Sequence, residues 1–187
     1  MSDFERILIV LCRAEVRFVM VGDLAVAAYG CVPGTHLLLE VCFDRSRDNI
    51  ERLASALEPL HPQLRGVVNH LPFFLDAATI ANGMNFTLTT DLGDVDLLGE
   101  VSGIGGYKEV RTLSVKLVLF GQECAVLSLD GLIQSKRATG RTKDLLTLPE
   151  IEALREIGTQ VKPESGPVET QNHENAPGKQ DNHGAED

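Results

Sequence analysis

Apolar positions along the chain change period several times, and each change predicts an element. Phe4, Ile7, Leu8, Leu11 and Cys12 recur at helical spacing, so residues 3–15 predict an amphipathic helix. Arg17 to Val21 is a short apolar, β-branched run and predicts a buried strand. Gly22 breaks it, and small residues of good helix propensity predict a helix over 24–30 that ends at Gly30. Cys31-Val32-Pro33-Gly34 predicts a loop, and Leu37 to Phe43 a second strand. Ser46 is placed to cap a helix carrying Ile50, Leu53, Ala54 and Leu57 on one face. His61 to Gly66 reads as a loop, and residues 67–82 as an apolar covering turn followed by a short helix.

In the second half, alternation takes over. Asn85 to Thr90 and Asp94 to Leu98 predict a hairpin about Asp91-Leu92-Gly93. Gly99 to Gly106, with four glycines, predicts a mobile loop. Leu113 to Phe120 and Gln122 to Leu127 predict a second hairpin about Gly121. Ser128 caps an expected helix over 129–138, and Leu148 to Ile157 predicts a last helix with Pro149 in its first turn. Helices mixed with hairpins predict an α+β domain built on a mixed sheet.

Composition narrows the class. The 187 residues suit one domain, and 43% hydrophobic content is ordinary for a globular chain. No apolar run approaches the roughly 18 residues of a membrane span, and Met-Ser-Asp-Phe-Glu-Arg lacks the start of a signal peptide. Cys12, Cys31, Cys42 and Cys124 form no Cys-x-x-Cys pair, and three lie in apolar surroundings. Buried free thiols in a reducing cytoplasm are therefore expected, with no zinc site or disulfide framework. The net charge of −10 disfavours nonspecific nucleic-acid binding over the whole surface. Half of that charge lies beyond Pro163, where six acids meet one lysine and Leu, Ile, Phe, Tyr and Met are absent. The expected organisation is one domain over 1–160 and a disordered acidic tail over 161–187. His173 and His183 then read as solvated tail residues.

Two features carry candidate chemistry. A glycine at a strand-to-helix turn lets backbone approach a ligand, and the turn after Val21 offers Gly22 and Asp23 at such a corner. An ordinary strand–turn–helix connection accounts for the same residues. The second feature is acidic: Glu40 on the second strand with Asp44 at its end, then Asp94 and Asp96, which alternation puts on one strand face. Carboxylates arranged this way can hold Mg²⁺ beside a triphosphate. Lys136, Arg137, Arg141 and Lys143 form a basic cluster that reads equally as phosphate contacts or as helix C-terminal charges. His36, His61 and His70 have no evident partners, Tyr107 reads as a rim-packing residue and Cys42 as core. No Ser-His-Asp or Cys-His set is visible, which disfavours a hydrolase.

The order of these motifs resembles the nucleotidyltransferase superfamily of the polymerase-β type, in particular its small bacterial toxin–antitoxin and abortive-infection members. The resemblance is carried by Val21-Gly22-Asp23-Leu24-Ala25, by Glu40 to Asn49, by Gly93-Asp94-Val95-Asp96-Leu97-Leu98, and by Asp130 to Asp144, over about residues 4–156. It implies a nucleotidyltransferase-like mixed β-sheet flanked by helices. Glu40 and Asp96 would be catalytic and hold Mg²⁺; Gly22, Asp23, Lys136 and Arg137 would bind a nucleoside triphosphate. The acceptor would be a hydroxyl of a protein, an RNA or a small molecule, and a toxin–antitoxin partner is a further expectation. The sequence also departs from the family pattern. Asp23 stands where the family has Gly or Ser, and the Asp-x-Asp of the second strand reads Leu38-Leu39-Glu40. Shifted to start from Thr35, both acidic positions fall on Leu37 and Leu39. At least one metal ligand is missing either way, unless Asp23 supplies it. The resemblance therefore leaves two readings: an active nucleotidyltransferase, or a degenerate copy acting as a nucleotide-sensing or protein-interaction module.

Overall fold

The computed structural model describes residues 1–31, 37–67 and 73–160. His36, His70, most of the loop after Cys31 and the tail expectation for 161–187 lie outside the described residues. The elements run α1 (Asp3–Arg13), β1 (Phe18–Val21), α2 (Gly22–Ala28), β2 (Leu39–Phe43) and α3 (Arg47–Leu57). A 3₁₀ turn (Glu58–Leu60) follows, then β3 (Gln63–Leu64), α4 (Ala77–Asn82), β4 (Asn85–Thr90) and β5 (Gly93–Leu98). The chain closes with β6 (Glu100–Val101), β7 (Gly105–Gly106), α5 (Tyr107–Thr112), β8 (Ser114–Leu119), β9 (Gln122–Leu127), α6 (Leu129–Thr139) and α7 (Thr142–Gln160).

Seven strands form one mixed sheet in the order β3-β4-β5-β2-β1-β9-β8. The β1·β9 and β2·β5 pairs are parallel and the other pairs antiparallel, so the expected α+β class holds. The parallel pairs put the two hairpins on opposite sides of the β1–β2 centre. Leu39, Val41, Val95 and Leu97 are fully buried and share one sheet face by alternation. α1 packs across β2, β5 and β9 and against α3, burying Ile7, Leu8 and Leu11. The opposite face carries Glu40 and Asp96, paired in register, and α5 packs on β1, β2 and β9.

Several elements differ from their sequence expectation. The glycine-rich stretch from Gly99 forms a small β6–β7 ribbon rather than an open loop, and the unexpected helix α5 follows directly. β3 is a two-residue strand held by Gln63 and Leu64 opposite Thr89 and Leu88, too short for any periodicity to reveal. α2 begins at Gly22 itself, and α7 starts six residues before its expected first residue, so Pro149 lies inside the helix. The early start of α7 coincides with ion pairs of Asp144 to Lys136 and Arg141. Asp44 is not a site acid. Its carboxylate binds the Arg17 guanidinium at 2.8 Å and the Ser46 hydroxyl at 3.0 Å, which holds the Asp44 carboxyl below its usual range.

Asn49, completely buried, closes the β1–β2–α3 junction. Its Oδ1 accepts from the Arg17 backbone N–H at 2.6 Å, and its Nδ2 donates to the Arg17 and Asp44 carbonyls at 3.0 and 2.8 Å. Removing that amide strands buried backbone groups, each worth about 1–3 kcal/mol. Asn49→Ala is expected to lower the unfolding free energy by about 3 kcal/mol, measured by urea denaturation, with secondary structure retained.

Candidate functional site

The site forms where three strands place three residues in a row. Val21 is the register partner of Glu40, and Glu40 of Asp96. Neighbouring strands lie about 4.8 Å apart, so the corner after β1, the Glu40 carboxylate and the Asp96 carboxylate share one end of the cleft. Gly22 turns the corner at φ 68°, in the left-handed region. A Cβ there would also overlap the Glu40 carboxylate, whose side chain would have to shift. The opposite wall comes from α6 and the start of α7. The resulting cleft of about 250 Å³ is lined by Gly22, Asp23, Glu40, Asp96, Lys136, Arg141, Lys143 and Asp144 among others.

Its charges are largely spent on one another. Lys136, only 5% exposed, puts its Nζ 2.7 Å from Asp23 Oδ1 and 3.3 Å from Asp144 Oδ1. The second oxygen of Asp144 accepts from Arg141 Nε at 2.7 Å. Burial opposes the Asp144 charge, yet Arg141 and Lys136 hold its carboxyl below the usual range. Arg65 reaches in from beyond β3, its Nη2 2.7 Å from Asp96 Oδ1 and its Nη1 3.2 Å from Asp94 Oδ2. The Arg65 backbone N–H donates to the Thr87 carbonyl at 2.9 Å, which fixes the residue beside β4. Asp94 and Asp96 do share a strand face, as alternation predicts, but a guanidinium already bridges them. Burial still pushes the Asp96 carboxyl up, against the pull of Arg65.

Glu40 is the exception. It makes no ion pair among the described residues. Burial first, then the charges of Asp23 and Asp96, push its carboxyl above the usual range; the Asp23 backbone N–H and the Lys143 charge oppose this.

The candidate residues thus separate. Gly22, Asp23, Glu40, Asp96 and Lys136 meet in one cleft, whereas Arg137 turns away to Glu152. His61 pairs with Asp91 at 2.6 Å on the surface, Cys42 is core and Tyr107 packs against the core. All four cysteines are free, three of them buried. Arg65 escaped the sequence reading because its approach to β5 depends on the two-residue strand β3.

The donor set does not suit a catalytic metal. Among the described residues, no three His, Cys, Asp or Glu converge in a way that could hold a metal ion. Leu38 precedes Glu40 by two, Asp96 is held by Arg65, and Asp23 by Lys136. The expected Mg²⁺ ligands Glu40 and Asp96 are therefore adjacent, and the neighbouring carboxylates Asp23, Asp94 and Asp144 are each engaged by a lysine or an arginine.

No protein-family model and no curated protein matches the chain. The solution structure of the antibiotic-resistance factor ANT(2'')-Ia is similar, with a TM-score of 0.51 at 14% identity over 84% of this chain and 90% of that one. The fold is of the nucleotidyltransferase type. In this chain the β1–α2 corner, the two acids on neighbouring strands and the α6–α7 wall line one cleft.

Two outcomes follow. Gly22→Ala is expected to cost at least about 1 kcal/mol of backbone strain in urea unfolding, and to displace the Glu40 side chain in a crystal structure. Glu40→Gln is expected to stabilise the protein at neutral pH. A carboxyl raised in the fold contributes stability fully present below its unfolded value of about 4.3 and lost as pH rises through its folded value. The wild type should therefore lose stability relative to Glu40→Gln across that window, and the two should converge below it.

Proposed function

We propose that the protein is a nucleotidyltransferase-fold binding module that takes a nucleoside triphosphate without carrying out metal-dependent transfer. The observation that carries this reading is the neutralisation of the site acids by protein cations. Arg65 holds Asp96 and Lys136 holds Asp23, while the position two before Glu40 is leucine. Two-metal transfer needs several carboxylates converging on the ions that clamp attacking and leaving oxygens, and this cleft leaves one of them unpaired.

Nucleotide binding is supported by the bases on the α6–α7 wall. Lys136, Arg141 and Lys143 line the cleft opposite the Gly22 corner, and Lys143 makes no salt bridge among the described residues. ANT(2'')-Ia, an aminoglycoside nucleotidyltransferase, has the same type of fold, which favours a nucleotide as the ligand class here. Glu40 opposes an anion from the floor of the cleft, so affinity is modest and pH-dependent. Protonating Glu40 removes a negative charge from the site, and triphosphate binding strengthens as pH falls toward its raised value.

Calorimetric titration with each nucleoside triphosphate, in EDTA and again in Mg²⁺, tests the reading. It predicts comparable affinities in the two buffers, binding that tightens as pH is lowered through the raised Glu40 value, and no nucleotide transfer. Binding that requires Mg²⁺, disappears in Asp96→Ala and accompanies turnover would establish the active enzyme instead.

A further inference from the structure

We propose that Asp23 is a built-in anion of this cleft, occupying the Lys136 ammonium until a ligand phosphate displaces it. Position 23 thereby sets how strongly the site holds polyphosphate. The proposal rests on the nucleotide-binding reading above and assigns a specificity role to a residue that the fold itself does not require to be acidic.

The two carboxylates on Lys136 are held very differently. Asp144 is 3% exposed and uses its second oxygen on Arg141 at 2.7 Å, so it is anchored from two sides. Asp23 has Lys136 as its single salt-bridge partner among the described residues, and its side chain is 25% exposed where it lines the cleft. It also lies close enough to Glu40 for the two negative charges to oppose each other. Asp23 is thus drawn inward by one lysine and pushed by one glutamate, with solvent on its free side. When it leaves, Lys136 keeps Asp144 at 3.3 Å and gains an open coordination direction toward the cleft. A phosphate oxygen satisfies an ammonium as well as a carboxylate does, and the charge-assisted hydrogen bond is of the same kind. Arg141 and Lys143 stand on the same wall to take further phosphate oxygens.

The exchange involves no covalent step. One carboxylate leaves an ammonium for water, and one phosphate replaces it, with Asp23 then free to move away from both the phosphate and Glu40. Ligands with a single phosphate recover one contact for the one lost, whereas a polyphosphate also reaches Arg141 and Lys143. The cleft should therefore discriminate by phosphate number, and the discrimination should soften when Asp23 loses its charge.

The test uses the full chain and inorganic pyrophosphate as probe, titrated calorimetrically in EDTA at low ionic strength against wild type, D23N and D23N/K136Q. D23N is expected to bind pyrophosphate at least tenfold more tightly than wild type, and the gain is expected to vanish in D23N/K136Q. Equal affinity of wild type and D23N, including no binding by either, overturns the proposal, as does a gain that survives loss of Lys136. Circular dichroism establishes folding first. If D23N does not fold, D23S takes its place, and failure of both to fold overturns the proposal by making the pair structural. If D23N/K136Q does not fold, the comparison of D23N with wild type decides alone. Wild type that binds no nucleoside triphosphate while D23N gains pyrophosphate would refute the nucleotide reading and leave this one standing. Nucleotide-binding wild type with an unchanged D23N would do the reverse.

Discussion

A lysine buried between two carboxylates joins the halves of this cleft. Asp23 belongs to the corner after β1, Asp144 to the start of α7, and Lys136 to α6, so their ion pairs tie the strand side of the site to its helical wall. Breaking one partner of such a buried network leaves an uncompensated charge, which is more costly than never having built it. Arg141 extends the network by one residue and completes its neutrality. The early start of α7 coincides with it.

The same logic governs the acids. Strand register brings Glu40 beside Asp96, as a metal-dependent site would require, and yet Arg65 and Lys136 supply the positive charge from within the chain. A guanidinium bridging Asp94 and Asp96 neutralises them in a fixed geometry that does not depend on a diffusible ion. Glu40 makes no ion pair among the described residues, and burial with the charges of Asp23 and Asp96 pushes its carboxyl above the usual range.

Much of this was legible in the sequence because the relevant signals are local. Alternation put Asp94 and Asp96 on one face, small residues after Gly22 marked the corner, and Ser128 capped α6, its hydroxyl accepting from the Gly131 N–H. What was not legible depends on contacts between segments far apart in the chain. Arg65 follows a two-residue strand, and nothing near it in sequence announces two aspartates some thirty residues on. Asp23 looked like a defect in a phosphate-binding turn until Lys136 was found 2.7 Å away. The basic cluster was real as composition, but helix geometry divides it, sending Arg137 to Glu152 and keeping Lys136, Arg141 and Lys143 at the cleft. Pro149 suggests a helix start, whereas α7 begins at Thr142, beside the ion pairs of Asp144.

The central claim is that protein cations, rather than a divalent ion, neutralise the acids of this site. Titration of the wild-type protein with Mn²⁺, followed by electron paramagnetic resonance of the free ion, addresses it most directly. The account predicts no site tighter than millimolar, with the same result in Asp96→Asn. A micromolar site in the wild type that Asp96→Asn abolishes would contradict it.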